Sequence, residues 1–135
     1  MPQDNGKKYT LDSQTYNKLV EIFNQKYVPG YSLSILNSEE RKHLFNAFYI
    51  CAVRAITNGA LEKSFVKALF ETVSEIVHGA PEYRTDKKDR LNNKEAGIMA
   101  SGYKQQMSAV IKFYYDKKKG RNVISSIWIN QRGLL

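Results

Sequence analysis

The fold prediction depends on the stretch NKEAGIMASGYKQQMSAVIKFYYDK, residues 93–117. Its apolar residues recur at steps of three and four, which is the spacing of one face of an α-helix. The sequence therefore predicts a long helix here, which Gly120 would end soon after the lysine run. The residues expected on its core face are Ala96, Ala100, Tyr103, Met107, Val110, Ile111 and Tyr114.

Three earlier segments show the same helical spacing between recognisable start and stop signals. The first covers about residues 12–28 and is broken by a Pro-Gly pair. The second opens at Asn37 or Ser38, both of which are common helix caps, and stops at an Asn-Gly pair. The third covers about residues 60–79, and Gly79 is expected to form its C-terminal cap.

The final segment, NVISSIWINQRGLL, fits either a short amphipathic helix or a strand. Because no partner strand is evident elsewhere, we expect a short C-terminal helix or an apolar tail. The sequence thus predicts one all-α domain over residues 1–135, a compact bundle of four main helices plus this element. Residues 1–10 are expected to be flexible, and residues 79–93 to form a charged connecting segment.

The composition is that of an ordinary globular protein, with 42% hydrophobic and 25% charged residues. No apolar run is long enough to span a bilayer, and the N-terminus does not resemble a secretory signal. We therefore expect a cytoplasmic protein without membrane contact. Cys51 is the only cysteine, and His43 and His78 are the only histidines, so neither a metal site nor a cofactor is predicted.

No compact catalytic motif is present in the sequence. It contains no Gly-rich phosphate loop, no G-x-S-x-G and no H-E-x-x-H pattern. Glu39 and Glu40 are adjacent, which suits the positive start of a helix better than an acid/base pair. We therefore expect a protein that is not an enzyme. A small enzyme with a dispersed site would leave no such signature and remains a third interpretation.

The net charge of +8 is concentrated in the C-terminal part of the chain. Residues 1–79 carry nine Lys and Arg against eight Asp and Glu, whereas residues 80–135 carry twelve against five. An excess confined to one part of a chain is typical of proteins that bind an anionic partner. Nucleic acid, DNA or RNA, is the first partner that this pattern predicts.

On the predicted fourth helix, lysines separated by Ser and Gln lie opposite the core face. Basic segments at both ends extend this ridge into a track of about 35 Å, roughly one duplex turn. We therefore predict a non-enzymatic accessory protein that contacts the phosphate backbone, although KKKG alone is more often a helix stop than a binding site. The predicted nucleic-acid-binding residues are Arg84, Lys87, Lys88, Arg90, Lys94, Lys104, Lys112, Tyr115, Lys117, Lys118, Lys119 and Arg121.

The alternative prediction is a protein–protein adaptor or assembly subunit, such as a small component of a phage particle or nucleoprotein complex. Glycine inside a helix costs up to about 1 kcal/mol relative to alanine, so the glycines of AGIMASG suggest close helix packing or self-association. An arginine within an apolar helix and an apolar tail suggest further contacts. The residues predicted for such an interface are Arg54, Gly97, Ser101, Gly102 and Trp128.

Overall fold

The computed structural model describes residues 12–28, 32–58, 61–84, 94–102 and 105–130. Within these ranges, three α-helices are followed by a three-stranded antiparallel sheet with the strand order β1-β2-β3. The protein therefore has an α+β fold, and the predicted all-α bundle of four main helices is wrong. The elements are α1 (Ser13–Ile22), α2 (Ser38–Asn58), α3 (Leu61–Val77), β1 (Lys94–Gly102), β2 (Gln105–Asp116) and β3 (Arg121–Asn130).

The three helices predicted before residue 80 are confirmed, and so are the predicted caps at Asn37 and Gly79, whereas the predicted breaks at Pro29-Gly30 and at Gly59 lie outside the described residues. The Asp12 side chain accepts a 2.7 Å hydrogen bond from the Thr15 N–H, and this bond lowers the pKa of the Asp12 carboxyl. Helix α1 continues directly into one π-helical turn, Phe23–Tyr27. Gly79 follows α3 with φ of 71°, the left-handed conformation expected of a C-terminal glycine cap. Local sequence signals were thus sufficient for this half of the chain.

Helices α2 and α3 pack on one face of the sheet and form the core with it. Leu44 and Cys51 of α2 and Phe65 and Leu69 of α3 are fully buried. Helix α1 and the π-helical turn lie against α2 and α3 through a group of rings whose centroids are 4.5–6.5 Å apart, a range typical of packed aromatic pairs. This group comprises Tyr16, Phe23, Tyr27, Phe45, Phe48, Tyr49 and Phe70.

Residues 94–102 and 105–116 form the antiparallel strands β1 and β2 rather than the predicted fourth helix. Residues four apart share a face in a helix and also in a strand, so the spacing from Met107 to Ile111 fits both structures. The decisive feature is alternation, because Val110 between them is 36% exposed. The buried strand residues are Ala96, Ile98, Met107, Ala109, Ile111 and Phe113.

The segment predicted as a short C-terminal helix or apolar tail contains strand β3, which pairs with β2. Strand β2 is the partner that the sequence pattern did not reveal, because the same residues fit the predicted fourth helix. Ile124 is buried on the core side, and Ile127 and Ile129 pack against the core from the same strand. The predicted flexible residues 1–10, and residues 85–93 of the charged connecting segment, lie outside the described residues.

A buried ion pair joins the start of α2 to the start of β3. The Glu40 side chain is 1% exposed, and its two oxygens lie 2.7 and 3.0 Å from the two terminal nitrogens of Arg121. Glu40 and Asn37 also form a capping box, since each accepts a 2.9 Å hydrogen bond from the backbone N–H of the other. Asn37, one of the two predicted caps, is therefore the N-cap of α2.

The same carboxylate completes the hydrogen bonding of an irregular position in β3. A bulge at Ser125 interrupts the register with β2, and the Ile124 N–H donates a 2.8 Å hydrogen bond to Oε2 of Glu40. Burial alone would raise the pKa of the Glu40 carboxyl, but the contacts with Arg121, Asn37 and Ile124 outweigh it and lower the pKa. Glu40 is thus held as a carboxylate inside the fold.

Candidate nucleic-acid interface

The sequence DKKKGR forms the tight turn between β2 and β3. Asp116 pairs with Arg121 across the hairpin, and residues 117–120 form the turn. The Gly120 N–H donates a 2.8 Å hydrogen bond to the Asp116 carbonyl, and its φ of 67° requires the freedom of glycine. Gly120 therefore closes a hairpin, and its predicted role as a helix stop is wrong.

The turn presents three adjacent lysines, Lys117, Lys118 and Lys119, which we call the lysine tip. All three are exposed. The carboxylate of Asp116 accepts backbone hydrogen bonds of 2.9 and 3.1 Å from Lys118 and Lys119, so it stabilises the backbone of the turn. None of the three ammonium groups forms an ion pair with a residue that the structure describes. The lysine tip is therefore a compact, positively charged surface.

A small pocket of about 160 Å³ lies beside the hairpin turn. Arg84 and Tyr115, two of the predicted binding residues, line it together with His78 and Gly120. Nδ1 of His78 lies 2.8 Å from the Ser74 carbonyl oxygen, which can only accept, so this ring nitrogen carries the proton. The fold thus brings Arg84 and Tyr115 to the turn that carries the lysine tip.

Other predicted binding residues are dispersed, because the helical ridge that would join them does not exist. Lys112 lies on the face of the sheet away from the helices, 3.9 Å from the carboxylate of Glu95. Lys94 is opposite Phe113 and therefore on the core side of β1. Arg121 is only 15% exposed, and Glu40 occupies its guanidinium group. Lys87, Lys88, Arg90 and Lys104 lie outside the described residues.

The predicted interface residues are also separated by the fold. Arg54 lies in α2, whereas Gly97, Ser101 and Gly102 lie in β1, and the structure does not describe the side chains of Arg54 and Ser101. A Cβ atom at Gly97 would meet nothing within 4 Å, so the close helix packing expected at this glycine is absent. Trp128 lies on β3 and is 62% exposed.

The side of the sheet that faces away from the helices, which we call the outer face, carries exposed apolar side chains. Met99 is 67% exposed and Val110 is 36% exposed, and Val110 lies directly opposite Trp128 in the neighbouring strand. The sequence interpretation missed both residues, since it assigned Val110 to a helical core. Strict alternation with Ile98, Ala109 and Ile111 was the signal that could have revealed them.

No family model, curated protein or solved structure matches this chain. The function proposed below therefore depends on the residues and their geometry.

Two other kinds of site, a metal centre and a membrane-spanning helix, have no candidate in the described part of the chain. No group of three or more His, Cys, Asp and Glu residues there could hold a metal ion. The helices within those ranges are all too short or too polar to cross a membrane. A larger groove of about 630 Å³ lies between the π-helical turn and α3, and Lys26, Lys63 and Lys67 line it together with Glu71. A second groove shares Lys26 and Glu71 with it and adds Glu75, so carboxylates accompany the lysines on this side of α3.

Proposed function

We propose that this protein binds nucleic acid without catalysing a reaction, and that it contacts the phosphate backbone through the lysine tip. The observation that carries this function is the presence of three adjacent exposed ammonium groups on one turn, with Asp116 bonded to the backbone beneath them. Lysine neutralises phosphates as a point charge, and the release of bound counterions favours the complex. A cytoplasmic location is part of this proposal.

The hairpin suits this role because its turn is held in shape before any ligand arrives. The Gly120 N–H and the two N–H groups bonded to Asp116 fix the turn, so binding orders the lysine side chains and little of the backbone. Arg84 beside the turn adds a guanidinium group that can bind a phosphate in bidentate fashion. We assign Arg121 a structural role, because its guanidinium group is bound by Glu40.

The test replaces all three residues of the lysine tip with glutamine and measures binding of labelled oligonucleotides by fluorescence anisotropy over a range of salt concentrations. The slope of log K against log salt is negative, and each lost phosphate contact makes it less steep by about 0.7 for a single strand or 0.9 for a duplex. The triple variant should therefore bind more weakly at low salt and show a slope flatter by about 2–3.

A matched control removes three lysines elsewhere on the surface: Lys18→Gln, Lys63→Gln and Lys67→Gln. These residues are exposed on α1 and α3, and glutamine is a good helix former. The control has the same net charge as the lysine-tip variant but should retain most of the salt slope. Equal losses of affinity and salt slope in the two triple variants would show that net charge alone drives binding. A wild-type protein that binds no nucleic acid at low salt would refute the function.

The alternative prediction, a protein–protein adaptor or assembly subunit, would use the outer face rather than the lysine tip. Exposed apolar side chains at Met99, Val110 and Trp128 are the observation in its favour. A stable oligomer in light scattering, combined with no affinity for nucleic acid, would support this alternative and contradict the proposed function.

A further inference from the structure

The outer face carries an exposed tryptophan that phosphate binding at the lysine tip does not explain. Trp128 is 62% exposed, yet its indole Nε1 donates a 3.0 Å hydrogen bond to the Ser126 hydroxyl two residues earlier on the same strand. That bond satisfies the polar edge of the ring and restrains its orientation. The aromatic surface of Trp128 therefore remains available to a flat apolar partner.

The outer face connects Trp128 to the lysine tip along strand β2. Val110, Lys112 and Tyr114 occupy alternate positions of this strand and so point to the same side, and Val110 is paired with Trp128. At about 3.3 Å per residue, the distance from Val110 to Lys117 along the strand is about 23 Å. An aromatic and apolar surface at one end is thus continuous with a concentrated positive charge at the other.

We propose that the outer face binds single-stranded nucleic acid, with an unpaired base stacked on Trp128 and the phosphate backbone directed along β2 toward the lysine tip. This inference rests on the proposed function and adds the type of strand that is bound. An unpaired base exposes both faces of its ring, whereas a base inside a duplex is already stacked on its neighbours. Sheets with exposed aromatic residues use this mode in other single-strand-binding domains.

Charge complementarity favours a nucleic acid over a protein as the occupant of this face. Lys112 lies between the apolar positions and the lysine tip, and a polyanion can neutralise all four ammonium groups while its bases cover the apolar surface. Glu95 is a carboxylate on this face, and it lies on β1, 3.9 Å from Lys112. The bound strand is therefore expected to run over β2 and β3 rather than over β1.

Intrinsic fluorescence reports directly on this contact, because Trp128 is the only tryptophan of the chain. Titration with a dT oligonucleotide of about 12 residues, a length within the usual range of single-strand sites, should quench the emission to a saturable limit. A duplex and heparin, a polyanion without bases, should bind through the lysine tip with much less quenching. Equal quenching by heparin would overturn the stacking contact.

Two substitutions at Trp128 separate stacking from apolar bulk in an anisotropy assay. Trp128→Leu should weaken binding of the dT oligonucleotide by about 5- to 150-fold, the range that corresponds to loss of one stacked base. Trp128→Phe should retain most of the affinity. Both variants should bind heparin as well as the wild type does, and their salt slopes should be unchanged, because no phosphate contact is lost.

The outcomes distinguish failure of this inference from failure of the proposed function. If Trp128→Leu binds the dT oligonucleotide like the wild type while the lysine-tip variant is impaired, the single-strand contact is refuted and backbone binding survives. If the wild type binds no nucleic acid, both are refuted. If Trp128→Leu dissociates an oligomer in light scattering without changing affinity for the dT oligonucleotide, the outer face contacts protein instead.

Discussion

Replacing Glu40 with glutamine should remove a large part of the free energy of unfolding. The Glu40 carboxylate accepts four hydrogen bonds: two from Arg121, one from the Ile124 N–H and one from the Asn37 N–H. Glutamine has nearly the same shape but only one acceptor oxygen, and its NH₂ group would face donors. At least one donor would lose its partner, and the Arg121 charge would lose its bonded carboxylate at a site where it is only 15% exposed.

The expected loss follows from the burial of this pair. Removing one partner of a buried ion pair costs about 3–5 kcal/mol, because the remaining charge stays desolvated. Domains of this size are stable by about 5–15 kcal/mol, so Glu40→Gln should lose a large fraction of the stability of the fold. With a urea dependence of about 2 kcal/mol per molar, the unfolding midpoint should fall by about 1.5–2.5 M.

Urea unfolding followed by circular dichroism measures this difference, and Glu39→Gln is the matched control. Glu39 precedes Glu40 in the same first turn of α2 but is exposed, so its loss removes only a favourable helix-dipole interaction of about 0.3–1 kcal/mol. If the two variants unfold within about 0.5 kcal/mol of each other, the buried pair does not stabilise the fold as we describe.

The pH dependence provides a second readout for the same substitution. The pKa of Glu40 is lowered in the folded protein from its ordinary value of 4.5. A carboxyl whose pKa is lowered by folding stabilises the fold at every pH above the pKa that it has in the unfolded chain. This contribution disappears as the pH falls through the pKa that it has in the folded protein. The difference in stability between wild type and Glu40→Gln should therefore be largest at neutral pH and shrink below pH 4.5. A difference that grew on acidification would contradict the lowered pKa.

Two further substitutions test the turn and the packing beneath it. Gly120→Ala should cost about 1–2 kcal/mol in urea unfolding, because alanine is strained at φ of 67°, and an unchanged midpoint would refute that conformation. Asn122→Ala should lower the free energy of unfolding by about 1–3 kcal/mol, because the Asn122 side-chain amide donates 2.9 Å hydrogen bonds to the Ile76 and Tyr83 carbonyls and the residue is only 3% exposed. An unchanged free energy of unfolding would show that these carbonyls find other donors.

The helices could be predicted because their signals are local. Apolar residues at steps of three and four, caps such as Asp12 and Asn37, and the terminating Gly79 all act within a few residues of the helix they define. The sheet could not be predicted in the same way. Pairs such as Ala96 and Ala100, or Met107 and Ile111, fit the period of an α-helix and also that of a β-strand. Only the alternating residues between them and the partner strands distinguish a helix from a strand here.

The candidate site was predictable in composition but not in arrangement. A run of three lysines next to a glycine is visible in the sequence, and the fold keeps it together and brings Arg84 and Tyr115 to the same turn. Arg121 belongs to the same run, but its partner Glu40 is 81 residues away, and no local pattern connects the two. Trp128 was predicted for a protein interface, and its relation to the lysine tip became visible only from the strand register.

The link between Glu40 and β3 also has a consequence for the order of folding. The capping box can form as soon as Asn37 and Glu40 are present, but Arg121 and Ile124 follow 81 and 84 residues after Glu40. Closing such a long loop is slow relative to helix formation, so the first turn of α2 should acquire its full protection only when the last strand docks. The amide of Ile124 should accordingly exchange with solvent at the rate of global unfolding, and the two ends of the fold would open as one cooperative unit.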